Sequence, residues 1–240
     1  MALNIHRLLI ITTLLFVIYL SWHYMLFGMT MNMDPVATWQ GSDIFLLFVM
    51  WAIMMAGMML PSAAPVILLI DKINQKRLIN RQSYTPTLFF ICGYLLAWSS
   101  YSILVTLLQW WFHHLALLTP MMDSANHFFS AAILIIAGIY QFTPWKQQCL
   151  RFCRSPLAVI SKGWQPGITG GLKLGFTHGS YCVGCCWFLM AILFVTGVMN
   201  LQWILILTLL VLIEKIAPKG IQFSKLIGAV LIVYGLSYLI

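Results

Sequence analysis

Asp43-Ile-Phe-Leu-Leu-Phe-Val-Met-Trp-Ala-Ile-Met-Met-Ala-Gly-Met-Met-Leu-Pro61, continued by Ser62-Ala-Ala-Pro-Val-Ile-Leu-Leu-Ile70, carries no charge after its first residue. Roughly 20 apolar residues in a helix cross a hydrocarbon core, so this stretch is long enough to span a bilayer. The rest of the chain follows suit. Of its 240 residues 62 % are hydrophobic and 8 % are charged, which leaves too little polar surface to cover a soluble globule. The expectation is one all-α domain over residues 1–240, a polytopic membrane helical bundle.

Seven spans fit: Leu8–Phe27, Asp43–Ile70, Thr87–Trp111, Ser124–Phe142, Tyr181–Met199, Leu201–Ile216 and Phe223–Ile240. Trp22, His23, Tyr24 and Met25 offer no small-residue cleavage site, so the first span reads as a retained anchor rather than a signal peptide. With the N-terminus inside, all 13 Lys and Arg fall on the cytoplasmic side and the C-terminus lies outside. The net charge of +8 is then a matter of topology. Nucleic-acid binding is set aside, because it needs a solvated basic surface interleaved with aromatics. The bilayer itself is the expected surrounding.

Cysteine marks the inner side. Cys182, Cys185 and Cys186 stand in His178-Gly-Ser-Tyr-Cys-Val-Gly-Cys-Cys-Trp187, where a glycine-rich loop over about residues 144–180 meets the fifth span. Spacing of four puts Cys182 and Cys186 on one helical face. Upstream, Cys149 and Cys153 are again four apart, among Lys146, Arg151 and Arg154, which favour thiolate. Stable disulfides are rare on a reducing side. Five thiols with His178 nearby therefore point to a soft metal, Cu(I) favoured and Zn(II) acceptable. Cys92 reads as a lone buried cysteine. Glu214 and Lys215 fall at an interface, where neither needs a function.

Methionine and histidine mark the other side. Met29, Met31 and Met33 in the first outer loop and His113 with His114 in the second are candidate capture ligands for copper. Met54 and Met58 share a helical stripe, with Met55 and Met59 beside it, as a candidate relay, and Pro61 and Pro65 then interrupt the helix. Packed or lipid-facing methionine is the plainer account of that stripe.

Trp51–Pro61, Trp145-Lys-Gln-Gln-Cys-Leu-Arg-Phe-Cys-Arg-Ser-Pro156, Gly179-Ser-Tyr-Cys-Val-Gly-Cys-Cys-Trp-Phe-Leu-Met190 and Glu214-Lys215 together resemble domain-of-unknown-function family 2182, described as predicted metal-binding bacterial integral membrane proteins. The resemblance implies a multi-pass inner-membrane protein with a metal site at Cys149, Cys153, Cys182, Cys185 and Cys186. No nucleophile elbow, zinc-protease motif or phosphate-binding glycine loop is present, and with 5 acidic residues acid–base catalysis has few candidates. The functional expectation is Cu(I) handling, by transport or by supply to a membrane metalloenzyme, with a metallochaperone or that enzyme as partner, and not an enzyme itself. Two alternatives stand beside it. One is a membrane thiol–disulfide oxidoreductase; the other is a metal-stapled structural or assembly subunit of a larger membrane complex.

Overall fold

The computed structural model describes residues 2–28, 41–115, 118, 126–155 and 164–239, with side chains from residue 7 onward. Among them are nine α-helices and no strand: α1 (Ala2–His23), extended by a π-helical turn over Tyr24–Gly28; α2 (Gly41–Ile79); α3 (Thr87–His114); α4 (His127–Phe142); α5 (Pro144–Arg154); α6 (Gly167–Ala191); α7 (Leu193–Thr196); α8 (Leu201–Ile216); and α9 (Gly220–Ser237). Five segments are long and apolar enough to cross a membrane, and α4 with α5 makes a sixth if that pair, bent by 65°, counts as one. The stretch Leu201–Ile216 is helical over the residues expected, at 16 residues. Large apolar side chains such as Phe16, Phe27, Leu226 and Val233 are exposed on the rim of the bundle, as suits a lipid surrounding.

Two expectations about local structure are corrected. The stretch 144–180 is largely helical rather than a loop, since α5 covers 144–154 and α6 starts at Gly167. Its glycines serve helix packing. A Cβ at Gly175 would lie 2.0 Å from the Phe90 carbonyl oxygen, and one at Gly93 would lie 2.2 Å from that of Leu172. Gly171, Gly175 and Gly179, one turn apart, thus let α6 press its backbone onto α3, the small-residue contact by which apolar helices associate without a hydrophobic drive. Gly138 of α4 and Gly228 of α9 meet in the same manner.

Pro61 and Pro65 do not end α2, which runs unbroken for 39 residues. Such a helix is about 58 Å long, well beyond the roughly 30 Å of a hydrocarbon core. Each proline removes one backbone bond, and surrounding helices hold the rest in place. The Ser62 hydroxyl donates to the Met59 carbonyl at 2.8 Å in this stretch. Gly57 leaves room for α1: a Cβ there would sit 2.8 Å from that of Ser21.

α4 and α5 separate at Thr143-Pro144. Thr143 caps α5, its hydroxyl accepting from the Lys146 amide at 3.3 Å, with proline at the first helical position, where its missing N–H costs nothing. The bend swings α5 across α6. Its far end is clamped by Arg154, which donates to the carbonyls of Ala217 and Pro218 just past α8. Positive charge at a helix C-terminus is favourable.

Candidate metal centre

The two cysteine stretches meet. Cys182 lies fifteen residues into α6, about 22 Å from its start at 1.5 Å per residue, so the thiols sit inside the bundle rather than at its edge. This corrects the expected position at a loop boundary. Once Gly167–Ser180 folds as helix against α3, the cysteines move up with it. Cys182, Cys185 and Cys186 are at most 1 % exposed, and Cys153 is buried with them at 7 %.

α5 supplies the second group of thiols. Cys153 is buried in the same core cluster as Cys182, Cys185 and Cys186. Cys149 is half-buried and rests on Gly184, where a Cβ would lie 3.0 Å from its sulfur. Within α6, the Cys185 and Cys186 thiols donate back to the Cys182 carbonyl at 3.1 and 2.9 Å. His178, one turn before Cys182, is 3 % exposed and packed between Phe90 and Tyr94. Its Nδ1 has no hydrogen-bond partner among the described residues. All six cysteines are free thiols, and Cys92, expected buried, is exposed on α3.

Among the described residues no three Cys, His, Asp or Glu side chains stand around one point as a finished metal site. The donor set nonetheless fits a soft ion: thiols from two helices and an imidazole one turn away. The Cys185 and Cys186 sulfurs are parked on a carbonyl by their side-chain rotamers, and rotation to another staggered well releases them.

Two charged residues were misplaced by sequence reasoning. Glu214 and Lys215, expected at an interface, are both buried in α8. The Lys146 ammonium lies 2.7 Å from one Glu214 carboxylate oxygen and donates to the other at 2.9 Å, both side chains being fully buried. This pair ties α5 to α8 and so holds Cys149 and Cys153 over α6. Lys215 points elsewhere. Its ammonium donates to the Cys182 sulfur at 2.8 Å and to the Ser62 hydroxyl at 2.9 Å. The Tyr94 hydroxyl lies 3.0 Å from the same sulfur and 3.2 Å from the Met59 carbonyl oxygen. Cys182 is therefore the point where α2, α3, α6 and α8 converge. A charged pair closing an apolar run, as Glu214-Lys215 does ahead of Ala217-Pro218, reads as an interface; only the buried Lys146 in a separate stretch shows otherwise.

Met54, Met55, Met58 and Met59 are all buried and face the protein interior rather than lipid. His113 and His114 end α3, with the His114 ring against Trp110. They are about 30 Å along that helix from Tyr94 and take no part in the cluster. Met29, Met31 and Met33 lie outside the described residues.

An all-helical bundle, with five or six segments apolar enough for a membrane and a buried set of free thiols, defines a class: a helical protein built around soft metal donors. The sequence places it more closely. The family PpoB2, described as a copper chaperone, matches residues 48–238, and the chain belongs to that family. The match takes in every cysteine together with Lys146, His178, Glu214 and Lys215, and it begins after the Met29, Met31 and Met33 segment. No curated protein and no solved structure matches the chain.

Proposed function

We propose that this protein is a multi-pass component of a bacterial inner membrane that accepts Cu(I) on its buried thiols and passes it on, either into the cytosol or to a membrane metalloenzyme. One observation carries the reading. Thiols from α5 and α6 are buried in one interior cluster, beside a lysine with no carboxylate partner among its described contacts. Cargo copper suits soft donors, and thiolate favours Cu(I). The copper-chaperone family supports the metal, and the resemblance to family 2182 rests on the same residues from 51 onward, so we take the two descriptions to be of one group.

In this reading seven segments cross the bilayer, α8 and the α4–α5 pair included, with the N-terminus inside. Met29, Met31, Met33, His113 and His114 would collect the ion on the outer side. The interior methionines of α2 would relay it toward Met59 and Ser62, next to Cys182. The protein carries its cargo without catalysing a reaction, and its partner is a metallochaperone or the metalloenzyme it supplies. Zn(II) is the competing ion. The test is elemental analysis of protein purified from copper-supplemented cells beside a variant with Cys149, Cys153, Cys182, Cys185 and Cys186 changed to serine. Near-stoichiometric copper in the first and none in the second is expected; metal-free wild-type protein with no thiol-dependent Cu(I) titration would sink the reading.

A second reading draws on the contact between Lys215 and Cys182, since an adjacent ammonium favours the nucleophilic thiolate. There Cys182 would attack a substrate disulfide and Cys153 would resolve the mixed disulfide, giving the substrate two electrons and leaving a Cys153–Cys182 disulfide for a quinol-type donor to reduce. Alkylation trapping decides between the readings: a reversible Cys153–Cys182 disulfide in cells supports redox exchange, and thiols that stay reduced support copper.

A further inference from the structure

We infer that Lys215 is the fixed counter-charge that makes the thiol cluster a site for one monovalent soft cation, held between Cys153 and Cys182, and that it discriminates against divalent ions. The inference rests on the copper-handling reading above and narrows it to the charge and coordination number of the cargo.

The count starts from burial. A buried ammonium without a compensating charge is costly. Glu214 is the adjacent residue, but successive side chains on a helix diverge by about 100°, and its carboxylate is engaged by Lys146 at 2.7 Å. The Nζ of Lys215 instead reaches a neutral hydroxyl, that of Ser62 at 2.9 Å, and the sulfur of Cys182 at 2.8 Å. Two thiolates and one ammonium sum to a single negative charge. A monovalent cation makes that sum zero. A divalent ion on the same two sulfurs leaves a net positive charge in an apolar interior, where the penalty is largest.

Directions agree with two ligands rather than four. The Cys185 and Cys186 thiols are turned onto the Cys182 carbonyl. Cys153 comes from α5, one turn beyond the Cys149 that rests on Gly184 of α6, and it is buried in the same core as Cys182. Two sulfurs on facing helices suit the linear coordination of Cu(I) and Ag(I), whereas zinc sites are tetrahedral. His178 and the thioethers of α2 are neutral ligands, so either can join without changing the count.

The probe is Ag(I), a redox-stable stand-in for Cu(I), in competition with Cd(II) on full-length protein in nanodiscs. Wild type should prefer Ag(I). Lys215→Met should lower Ag(I) affinity by about tenfold or more, the loss expected when one partner of a buried charge set is removed, with Cd(II) binding unchanged or stronger. Lys215→Arg should stay near wild type. Ser62→Asp, which keeps the lysine but gives it a carboxylate, should copy Lys215→Met, and it supplies the answer if the methionine variant does not fold. Cys153→Ser should abolish Ag(I) binding where Cys185→Ser does not. Wild-type Ag(I) binding with an unchanged Ag(I)/Cd(II) ratio in Lys215→Met or Ser62→Asp overturns the charge argument alone. Wild type that binds neither ion overturns the copper reading with it.

Discussion

Glu214 and Lys215 are neighbours in α8, yet they belong to two different junctions. At the α5–α8 junction Glu214 meets Lys146 at 2.7 Å, and charge is balanced within the protein. At the α2–α6–α8 junction Lys215 meets a hydroxyl and a sulfur. The first junction is complete as it stands and serves to position α5. The second is complete only when its sulfur carries negative charge, and it is there that the proposed cation would sit. Two buried lysines thus do different work because of what faces them.

The largest effect should come from breaking the first junction. Glu214→Gln leaves the Lys146 ammonium buried without a carboxylate, a loss of about 3–5 kcal/mol for breaking a buried pair. Denaturant unfolding in detergent micelles should show it as a lower midpoint. The double change Lys146→Met with Glu214→Leu removes both charges, and apolar replacements of similar volume are often neutral or better. Stability near wild type with copper binding retained would mark the pair as purely positional. A double variant that folds but binds no copper would break the division between the junctions.

A smaller loss is expected where α6 presses on α3. Gly175→Val puts side-chain atoms into the Phe90 backbone, already 2.0 Å from the position of a Cβ, and overpacking of this kind costs about 1–3 kcal/mol. Because α6 carries Cys182 and α8 carries Lys215, copper binding should weaken together with stability, measured by Cu(I) competition with a colorimetric chelator.

The α3–α6 contact also shows what could be read from sequence. The helical class, the helix over Leu201–Ile216 and the grouping of cysteines from two stretches were legible, because apolar run length and four-residue spacing are local properties. The glycines at 171, 175 and 179 were not read as a packing face, since glycine signals loops as strongly as it signals close helix contact. Treating residues 144–180 as a loop then left the thiols at the edge of the bundle. The burial of Lys146, Glu214 and Lys215 was hidden for another reason. Whether a charge at the end of an apolar run faces water or a partner depends on a residue elsewhere in the chain, here 68 positions away.

Tyr94→Phe should have a more modest effect. It removes the hydroxyl shared between the Met59 carbonyl and Cys182, worth about 1 kcal/mol for one hydrogen bond, with Cu(I) affinity reduced only a few-fold. The smallest effect is expected at the far end of α3. His114→Ala, about 30 Å from Tyr94 along the helix, should leave thermal stability and thiol-dependent copper binding unchanged. A change in either would mean that the far end of α3 and the cluster are coupled, and that the interior is not a self-contained site.

The most direct test of the account is copper-edge X-ray absorption on full-length protein loaded with one equivalent of Cu(I), beside Cys153→Ser and Cys182→Ser. The account predicts a sulfur-only inner shell of low coordination number in wild type, lost in both variants although one cysteine lies on α5 and the other on α6. Copper coordination that survives either substitution unchanged would contradict it.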